Sequence, residues 1–395
     1  MRTGLVFIIG SLFIYQGFRI NAQTLHFEQT FSSELVINHS LIPEVFQSPE
    51  QGYEYYIGLL DNCSPIDLEY NEYVEEYINI FLGKRKKDLE LSLQRAQKYF
   101  PLFEEILDKN DLPLELKYVA VIESGLNPYA KSPSGAVGLW QFLYKTCSML
   151  DLTVNSYIDE RRDPYKSTEA ACRYFKYLYA TFNNWNLVLA SYNSGPGEVR
   201  KAIARSGGKT DYWEIRKYLP EQAVNYVPAF VAINYLMNNY KRHGIEIFQG
   251  KMGKIKTDTV LINYSLSFRQ ISSVLDISIQ TLQELNPTYS KDFIPDLEYP
   301  CILVLPEDKI LEFITNEKRI IGYRMPETDY NYLLANAGNK ENRRKIIHVV
   351  QYGEYFHKIA MHYNCTLENI MAWNNLNNLS LHPGQILEIW IPEDN

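Results

Sequence analysis

Apolar residues recur at helical spacing from Tyr73 to about Tyr240, in long amphipathic stretches that glycine and proline interrupt. Signals for strands are nearly absent from this part of the chain. The pattern therefore predicts an all-α domain over residues 73–242. Residues 23–72 carry proline, serine and acidic side chains without a sustained period, and they predict an extended lead-in.

The pattern changes after a predicted linker at residues 243–256, because short β-branched runs then alternate with short helices. An internal repeat is present in this part of the chain, since Asn374 follows Asn286 by 88 positions and other apolar positions match at the same offset. Each copy predicts strand, helix, helix and strand, over residues 257–306 and 345–393. A polar and charged linker is predicted between them, at residues 318–344.

These two units resemble lysin-motif (LysM) modules, small βααβ domains, and the resemblance implies binding of glycans that contain N-acetylglucosamine. The second unit, HVVQYGEYFHKIAMHYNCTLENIMAWNNL, is the clearer copy. It reads Gly353-Glu354-Tyr355-Phe356 where the family usually has Gly-Asp-Thr-Leu. The first copy is degenerate and lacks that glycine. Glycan binding is favoured for the second copy, whereas the first is more readily explained as a spacer.

The N-terminal residues 1–22 are typical of a secretory signal peptide. Arg2 precedes a short apolar run, and Ala22 is a small residue at a plausible cleavage point. The run is too short to favour a transmembrane helix, although an uncleaved anchor is the alternative. The first cysteine is Cys63, so lipid attachment at a lipobox-type cysteine is not expected. We therefore expect secretion across the inner membrane to the periplasm.

The composition of the chain limits the classes of binding partner that are expected. A net charge of −8 argues against nucleic acid as the main partner, whereas sugar recognition needs aromatic faces and hydrogen bonds more than charge. The five cysteines have no metal-ligand spacing, so we expect neither a metal nor a cofactor. Cys147 and Cys172 could form a disulfide in an oxidising compartment, but buried free thiols are slightly favoured.

Glu123 is the best candidate for chemistry. Leu116 and Val119 lie on one apolar face of a predicted helix, and Glu123 continues that face until Gly125 ends the helix. Desolvation and the negative end of the helix dipole both disfavour an ionised carboxylate there, so we expect a raised pKa, as a general acid requires. The alternative is a frayed last turn that exposes Glu123 to water.

Two further motifs follow along the chain. Gly135 and Gly138 precede the run Leu-Trp-Gln-Phe, where they allow a tight loop and Gln141 offers an amide to a sugar. Tyr192 and Asn193 end an apolar helix before Gly-Pro-Gly, and they can present a hydroxyl and an amide to a cleft. Each motif alone is weak evidence, because an ordinary loop or helix stop explains it equally well.

The order ES…GxxGLWQF…ASYNSGPG resembles that of the lytic murein transglycosylases, which have a lysozyme-like catalytic domain. The resemblance is closest to the membrane-bound D type, which carries LysM modules at its C-terminus, and it covers nearly everything after Tyr73. It implies a mainly α fold, with a lysozyme-like all-α catalytic domain followed by two small βααβ modules. It also implies that Glu123 is the catalytic acid and base, and that the substrate-binding residues are Ser132, Gln141, Tyr192, Asn193 and Tyr226.

The same resemblance implies the reaction, which is cleavage of the bond between N-acetylmuramic acid and N-acetylglucosamine in peptidoglycan, without water, to leave a 1,6-anhydro sugar. Only one well-placed carboxylate is evident in the sequence. A lysozyme-type hydrolase would need a second carboxylate or a positioned water. A non-catalytic wall-binding scaffold would not need Glu123 at all. Both are alternatives to the lytic reaction.

The run from Asp159 to Pro164 is better explained by structure than by catalysis. Two arginines stand among three carboxylates, which predicts a lattice of ion pairs. Asp163 is expected to cap a helix that begins at Pro164, because aspartate accepts from the first free N–H groups and proline fits the first helical turn.

Overall fold

A computed structural model describes residues 48–247, 256–323, 343–351, 354–363, 365–376 and 381–392. The predicted signal peptide at 1–22 lies outside the described residues, as do the first half of the lead-in and most of the linkers at 243–256 and 318–344.

Helices make up nearly all of the regular structure between residues 48 and 247, which confirms the prediction of an all-α region. They are α1 Pro49–Asp61, α2 Glu72–Leu82, α3 Lys86–Lys109, α4 Lys117–Ser124, α5 Tyr144–Cys147, α6 Pro164–Phe182, α7 Trp185–Ser194, α8 Pro196–Arg205, α9 Tyr212–Ile215, α10 Glu221–Val224 and α11 Tyr226–Asn239. Short 3-10 turns lie at Leu114–Leu116, Ser148–Leu150, Arg216–Tyr218 and Tyr240–His243.

The prediction of an extended lead-in over residues 23–72 is wrong for its second half. Helix α1 occupies Pro49–Asp61, and it packs against α11 with Tyr56 and Ile57 buried. The helical stripe was missed because tyrosines provide much of it, and tyrosine is a weak marker of a buried face when only the sequence is known.

Helix α11 is the centre of this helical region. Nearly all of its residues are buried, and it contacts α1, α2, α4 and α7. A helix that is apolar on every side can be stable only when other helices surround it. Tyr226 therefore begins a helix that the core holds in a fixed position.

The helix start at residue 163 is as predicted. Oδ1 of Asp163 accepts a hydrogen bond from the backbone N–H of Lys166, and Pro164 is the first residue of α6. The predicted ion pairs are also present, since Nη2 of Arg161 lies 2.8 Å from Oδ2 of Asp159, with both side chains buried.

The first LysM-like module follows the order that the repeat predicted. Its elements are β1 Thr257–Ile262, β2 Leu266–Ser267, α12 Phe268–Leu275, α13 Ile279–Leu285, β3 Phe293–Ile294 and β4 Cys301–Pro306. Strand β1 pairs antiparallel with β4, and β2 pairs with β3. Ser267 and Gln270 form a capping box at the start of α12.

A helix that the sequence did not predict follows β4. Helix α14 spans Glu307–Gly322 and buries Phe313 and Ile320 against the first module, so the predicted linker at 318–344 cannot begin before the helix ends. Only Phe313 and Ile320 of α14 are buried, and charged residues surround them in the sequence, so the apolar face of this helix gives a weak pattern.

The second module contains β5 Arg343–Val349, helices Phe356–His362 and Leu367–Trp373, and β6 Ile386–Pro392. Strand β5 pairs antiparallel with β6, with Arg343 opposite Pro392 and Val349 opposite Ile386. Thr366 caps the second helix. The βααβ order is therefore confirmed in both copies.

The repeated asparagines have the same structural task in both modules. Nδ2 of Asn374 donates to the carbonyl oxygens of Ile370 and Glu388, and its Oδ1 accepts from the N–H of Glu388. Asn286 makes the equivalent three bonds to Leu282 and Val304. Each asparagine therefore ties the end of the second helix to the last strand of its module.

All five cysteines are free in the structure, and four of them, Cys147 and Cys172 included, are buried. A disulfide between Cys147 and Cys172 is therefore not formed. Burial raises the pKa of the Cys172 thiol to about 12, which keeps it protonated at neutral pH.

We predict that Asn374→Ala destabilises the second module by roughly 2–4 kcal/mol, because it leaves a backbone N–H and a C=O of β6 without their partner. Native-state hydrogen exchange of the amides in β5 and β6 would measure this loss. Asn316→Ala is the matched control, since Nδ2 of Asn316 donates to the carbonyl oxygen of Glu312 within its own helix. Equal exchange in the two variants would contradict the assigned role.

Candidate active site

Glu123 lies near the C-terminal end of α4, where the sequence placed it. A 3-10 turn at Leu114–Leu116 leads into α4, and Gly125 ends the helix in the left-handed conformation, with φ of +57°. The N–H of Gly125 closes the last turn onto the carbonyl oxygen of Val121. The last turn is therefore formed and capped, not frayed.

The pKa of Glu123 is raised to about 7, mainly because burial penalises the ionised carboxylate. A hydrogen bond of 2.7 Å from the Tyr226 hydroxyl to Oε1 of Glu123 acts in the opposite direction and lowers the pKa. A carboxyl group with a pKa near 7 can both give and take a proton at neutral pH. The arrangement therefore fits an acid that becomes a base.

Two tyrosines lie close to this carboxyl group. Tyr226 contacts it directly, and the charge of Glu123 adds to the effect of burial in raising the pKa of both Tyr192 and Tyr226. Both phenols therefore stay protonated and act only as hydrogen-bond donors or acceptors. The hydroxyl of Tyr192 donates to the carbonyl oxygen of Trp140 at 2.8 Å, so Tyr192 supports the loop beside the acid.

Glu123 opens into a cleft of about 360 Å³. One side is formed by the end of α4 and by the loop that follows it. The other side is formed by α3. The residues that line the cleft are Arg85, Asp88, Leu91, Arg95, Ile122, Glu123, Ser124, Gly125, Ala130, Lys131, Ser132 and Gln141. Ser132 and Gln141 thus join Glu123, as the sequence predicted.

Helix α3 contributes to this cleft in a way that sequence reasoning missed. Nη1 of Arg95 donates to the carbonyl oxygen of Gly125 at 2.9 Å, which fixes the chain just beyond Glu123. Nε of Arg85 pairs with Oδ2 of Asp88 at 3.0 Å on the same wall. These residues belong to the polar face of an amphipathic helix, and such a face is usually only solvated. A single sequence therefore carries no signal that separates a polar face lining a cleft from one that faces water.

The glycine-containing loop between residues 131 and 142 is held by short antiparallel bridges that join Val137 to both Lys131 and Phe142. Gly138 has φ of +92°, and a Cβ built on it would lie 1.8 Å from the backbone oxygen of Arg161. The loop therefore lies directly on the chain at Arg161. Only glycine fits at residue 138, because any side chain would collide with backbone.

The polar residues of this loop also support its shape. The hydroxyl of Ser132 accepts from the N–H of Ala136 at 3.0 Å and lies 2.8 Å from the hydroxyl of Ser134. Nε2 of Gln141 donates to the carbonyl oxygens of Ala130 and Gly138. Both residues therefore reach the cleft while part of their hydrogen-bonding capacity is used within the loop.

Asn193 is the candidate that the structure connects least with the cleft. It is not among the cleft-lining residues, and its Oδ1 is buried without a hydrogen-bond partner. A buried amide oxygen without a partner lowers stability, so a functional reason for an asparagine at residue 193 is favoured over a structural one.

Within the described part of the chain, no group of three or more histidine, cysteine, aspartate or glutamate side chains could hold a metal ion. The raised pKa of Glu123 and the tyrosine hydroxyls beside it are suited to proton transfer by this one carboxyl group.

Three family profiles match the chain. Residues 101–215 match the transglycosylase SLT domain, residues 256–321 match the LysM-like domain of the lytic transglycosylase MltD, and residues 348–390 match the LysM domain. The order of these matches agrees with the helical region and the two modules described above.

Among curated proteins, the chain is similar to membrane-bound lytic murein transglycosylase D of Escherichia coli K12, with 26% identity over 302 residues that cover 75% of this chain and 64% of that protein. The soluble lytic murein transglycosylase of the same strain is 33% identical over 119 residues, which cover 29% of this chain and 18% of that protein. The chain thus spans slightly less than two thirds of the length of the first of these relatives.

Among solved structures, the 70 kDa soluble lytic transglycosylase of Escherichia coli matches over 50% of this chain and 36% of its own, with 23% identity and a TM-score of 0.33. Its complex with bulgecin A matches over 51% of this chain and 36% of its own, with 22% identity and a TM-score of 0.33.

The chain therefore carries a transglycosylase SLT domain followed by LysM-type modules, and its mainly α fold class is confirmed. Within that class, the MltD-type LysM-like domain and the curated match confirm the resemblance to the membrane-bound lytic murein transglycosylases of the D type.

We predict that Gly138→Ala costs roughly 3 kcal/mol or more of the free energy of unfolding, because its Cβ would overlap the backbone of Arg161. Gly135→Ala is the matched control. Gly135 has a similar φ of +84° but open space around it, so its substitution should cost only the backbone strain of about 1–2 kcal/mol. Urea denaturation of both variants would check this, and equal losses would contradict the close contact.

We predict that Glu123→Gln stabilises the protein at pH 8 but not at pH 4.5. The folded-state pKa of Glu123 is raised above its unfolded value, so ionisation lowers stability as the pH rises from 4.5 through about 7. At about 1.4 kcal/mol per pKa unit, the shift from 4.5 to about 7 makes the gain at pH 8 roughly 3–4 kcal/mol.

Urea denaturation at the two pH values measures this difference. Glu105→Gln is the control, because Glu105 is an exposed glutamate on α3. A stability change for Glu123→Gln that is the same at both pH values would contradict a raised pKa.

Proposed function

We propose that this protein is a lytic transglycosylase that cleaves the β-1,4 bond between N-acetylmuramic acid and N-acetylglucosamine in peptidoglycan and leaves 1,6-anhydro ends. The observation that carries the proposal is Glu123 in the cleft of an SLT domain, with a pKa of about 7 and a hydrogen bond from Tyr226. A carboxyl group of this kind suits both proton transfers that the reaction needs.

In the first step, protonated Glu123 gives its proton to the oxygen that bridges the two sugars. The positive charge that develops at C1 of the muramoyl sugar is stabilised by the acetamido group of that sugar. Because Tyr226 occupies Oε1, we assign the proton transfer to Oε2 of Glu123. The leaving group departs as the free hydroxyl of the next glycan residue.

In the second step, the Glu123 carboxylate takes the proton of the C6 hydroxyl, and the C6 oxygen closes on C1. Burial favours the protonated form of Glu123, so the same environment that made it an acid drives it to recover the proton. The ring closure is intramolecular and benefits from a high effective concentration, and it consumes no water.

The absence of a second well-placed carboxylate in the cleft supports the lytic reaction over hydrolysis. Among the residues that line the described cleft, the other carboxylate is Asp88, which is largely exposed and paired with Arg85. A hydrolase with two carboxylates needs the second one free to act as nucleophile or to activate a water. Asp88 is better placed to orient Arg85 along the glycan.

We assign sugar binding to Ser132 and Gln141, since both line the cleft beside Glu123. Tyr192 and Asn193 are assigned to the same site from the side of α7. Tyr192 acts there by holding the Trp140 backbone, and Asn193 is the next residue at the end of the same helix.

The LysM match supports the second module as the part that binds N-acetylglucosamine-containing glycan and brings the enzyme to the wall. We propose a periplasmic enzyme that is associated with the cell envelope, since the predicted signal peptide and the relatives named as membrane-bound both favour it. No described helix is both long and apolar enough to cross a membrane.

We predict that the wild-type protein releases anhydromuropeptides from purified peptidoglycan, and that Glu123→Gln lowers this rate at least about a hundredfold, the usual contribution of a general acid. Asp88→Asn should keep the rate within about threefold of wild type if Asp88 takes no part in proton transfer. Mass spectrometry of the digests identifies the ends.

Each rival function has its own outcome in this experiment. Reducing ends in place of anhydro ends, together with loss of activity in Asp88→Asn, would indicate a lysozyme-type hydrolase. No release by the wild type, with intact binding to peptidoglycan, would indicate a non-catalytic scaffold.

A further inference from the structure

The first LysM-like module shares a hydrophobic core with the catalytic region. Tyr157 and Ile158, from the loop before α6, are buried in the same cluster as Phe293 and the other core residues of the module. The rings of Tyr157 and Phe293 are 5.4 Å apart. Packing of this kind is typical of the interior of one domain and not of two modules joined by a tether.

Backbone hydrogen bonds reinforce this contact. The N–H of Asp159 donates to the carbonyl oxygen of Thr288 at 2.9 Å, and the N–H of Ser290 donates to that of Tyr157 at 2.8 Å. The two segments thus pair like short antiparallel strands. The hydroxyl of Thr288 also donates to Oδ2 of Asp163, the residue that caps α6.

The docked segment of the catalytic region holds the active-site loop. Nη1 of Arg161 donates to the carbonyl oxygens of Gly135 and Phe142, and the backbone of Arg161 lies against Gly138. Residues 157–163 therefore lie between the first module and the glycine-containing loop. A shift of this segment would be transmitted to the loop, because the backbone of Arg161 packs directly against Gly138.

A second contact joins the module to Tyr129, which lies just before the glycine-containing loop in the chain. The hydroxyl of Tyr129 donates to the carbonyl oxygen of Gln283, near the end of α13, at 2.7 Å. Tyr129 lies between Glu123 and Ser132 in the chain. Nζ of Lys98, on α3, donates to the neighbouring carbonyl oxygen of Glu284 at 3.0 Å. The last turn of α13 therefore receives donors from both sides of the cleft.

We propose that the first LysM-like module is docked in a fixed position and supports the active-site cleft. Tyr129 is then the positioning residue that ties the segment before the glycine-containing loop to this module. The module docks through residues 286–290, where Asn286 and Tyr289 are buried. This segment is not available to an external glycan. The degenerate sequence of the first copy is then explained, because its surface is matched to the catalytic region and not to a sugar.

Hydrogen exchange on the full chain tests the docking of the first module independently of activity. The amides of Asp159 and Ser290, both bonded across the contact, should exchange at least about a hundredfold more slowly than those of the exposed Gly207–Gly208 turn. Exchange of these two amides as fast as in the exposed turn would overturn the proposal of a fixed module.

The role of Tyr129 rests on the proposed function and is tested by kinetics on soluble glycan strands. Tyr129→Phe keeps the ring and removes only the hydroxyl, so we expect KM to rise about two- to tenfold, the range of one lost hydrogen bond, with little change in kcat. Tyr177→Phe is the matched control, since Tyr177 is a tyrosine of similar exposure on the outer face of α6.

A KM for Tyr129→Phe equal to that of wild type and Tyr177→Phe would overturn the positioning role. A fall in kcat and in thermal stability without a change in KM would overturn it too, because that result indicates a merely structural residue. Failure of the proposed function is distinguishable, since the wild type would then be inactive whether or not the exchange experiment shows docking.

Discussion

The desolvation of the half-buried Glu123 carboxyl group is the constraint on which the rest of the catalytic region depends. The ionised form is unfavourable there, so the surrounding helices must hold α4 in place against a group that would be more stable in water. Helix α11 provides this support, because it is surrounded by other helices and begins at Tyr226, whose hydroxyl donates to Glu123. One hydrogen bond thus links the packing of α11 in the core to the ionisation of Glu123.

The shape of the glycine-containing loop beside Glu123 depends on its packing against Arg161 as well as on hydrogen bonds within the loop. Gly138 lies against the backbone of Arg161, and the guanidinium of Arg161 bonds to carbonyl oxygens of the loop while Asp159 neutralises its charge. A buried arginine without such a partner would be costly. The ion pairs between residues 159 and 163 therefore support the shape of the cleft although they take no part in proton transfer.

The two LysM-type modules show how a repeat can keep its fold and change its surface. Asn286 and Asn374 each make two bonds to the last strand of their module and one to the end of its second helix, so the internal frame of each module is preserved. The loop after Asn286 packs on the catalytic region, with Tyr289 beside Ile158. The first copy therefore keeps the internal frame of the module while residues 288–290 contact the catalytic region.

Periodicity and residue chemistry in the sequence were enough to predict the all-α region, both βααβ modules, the cap at Asp163 and the raised pKa of Glu123, because these features depend on local spacing. Helix α1, helix α14 and the α3 wall with Arg95 were not predicted, because their amphipathic patterns resemble those of ordinary solvated segments. Only the tertiary structure revealed the hydrogen bond from Tyr129 to Gln283 and the docking of the first module. Those contacts join residues more than a hundred positions apart, and no local pattern encodes such a pairing.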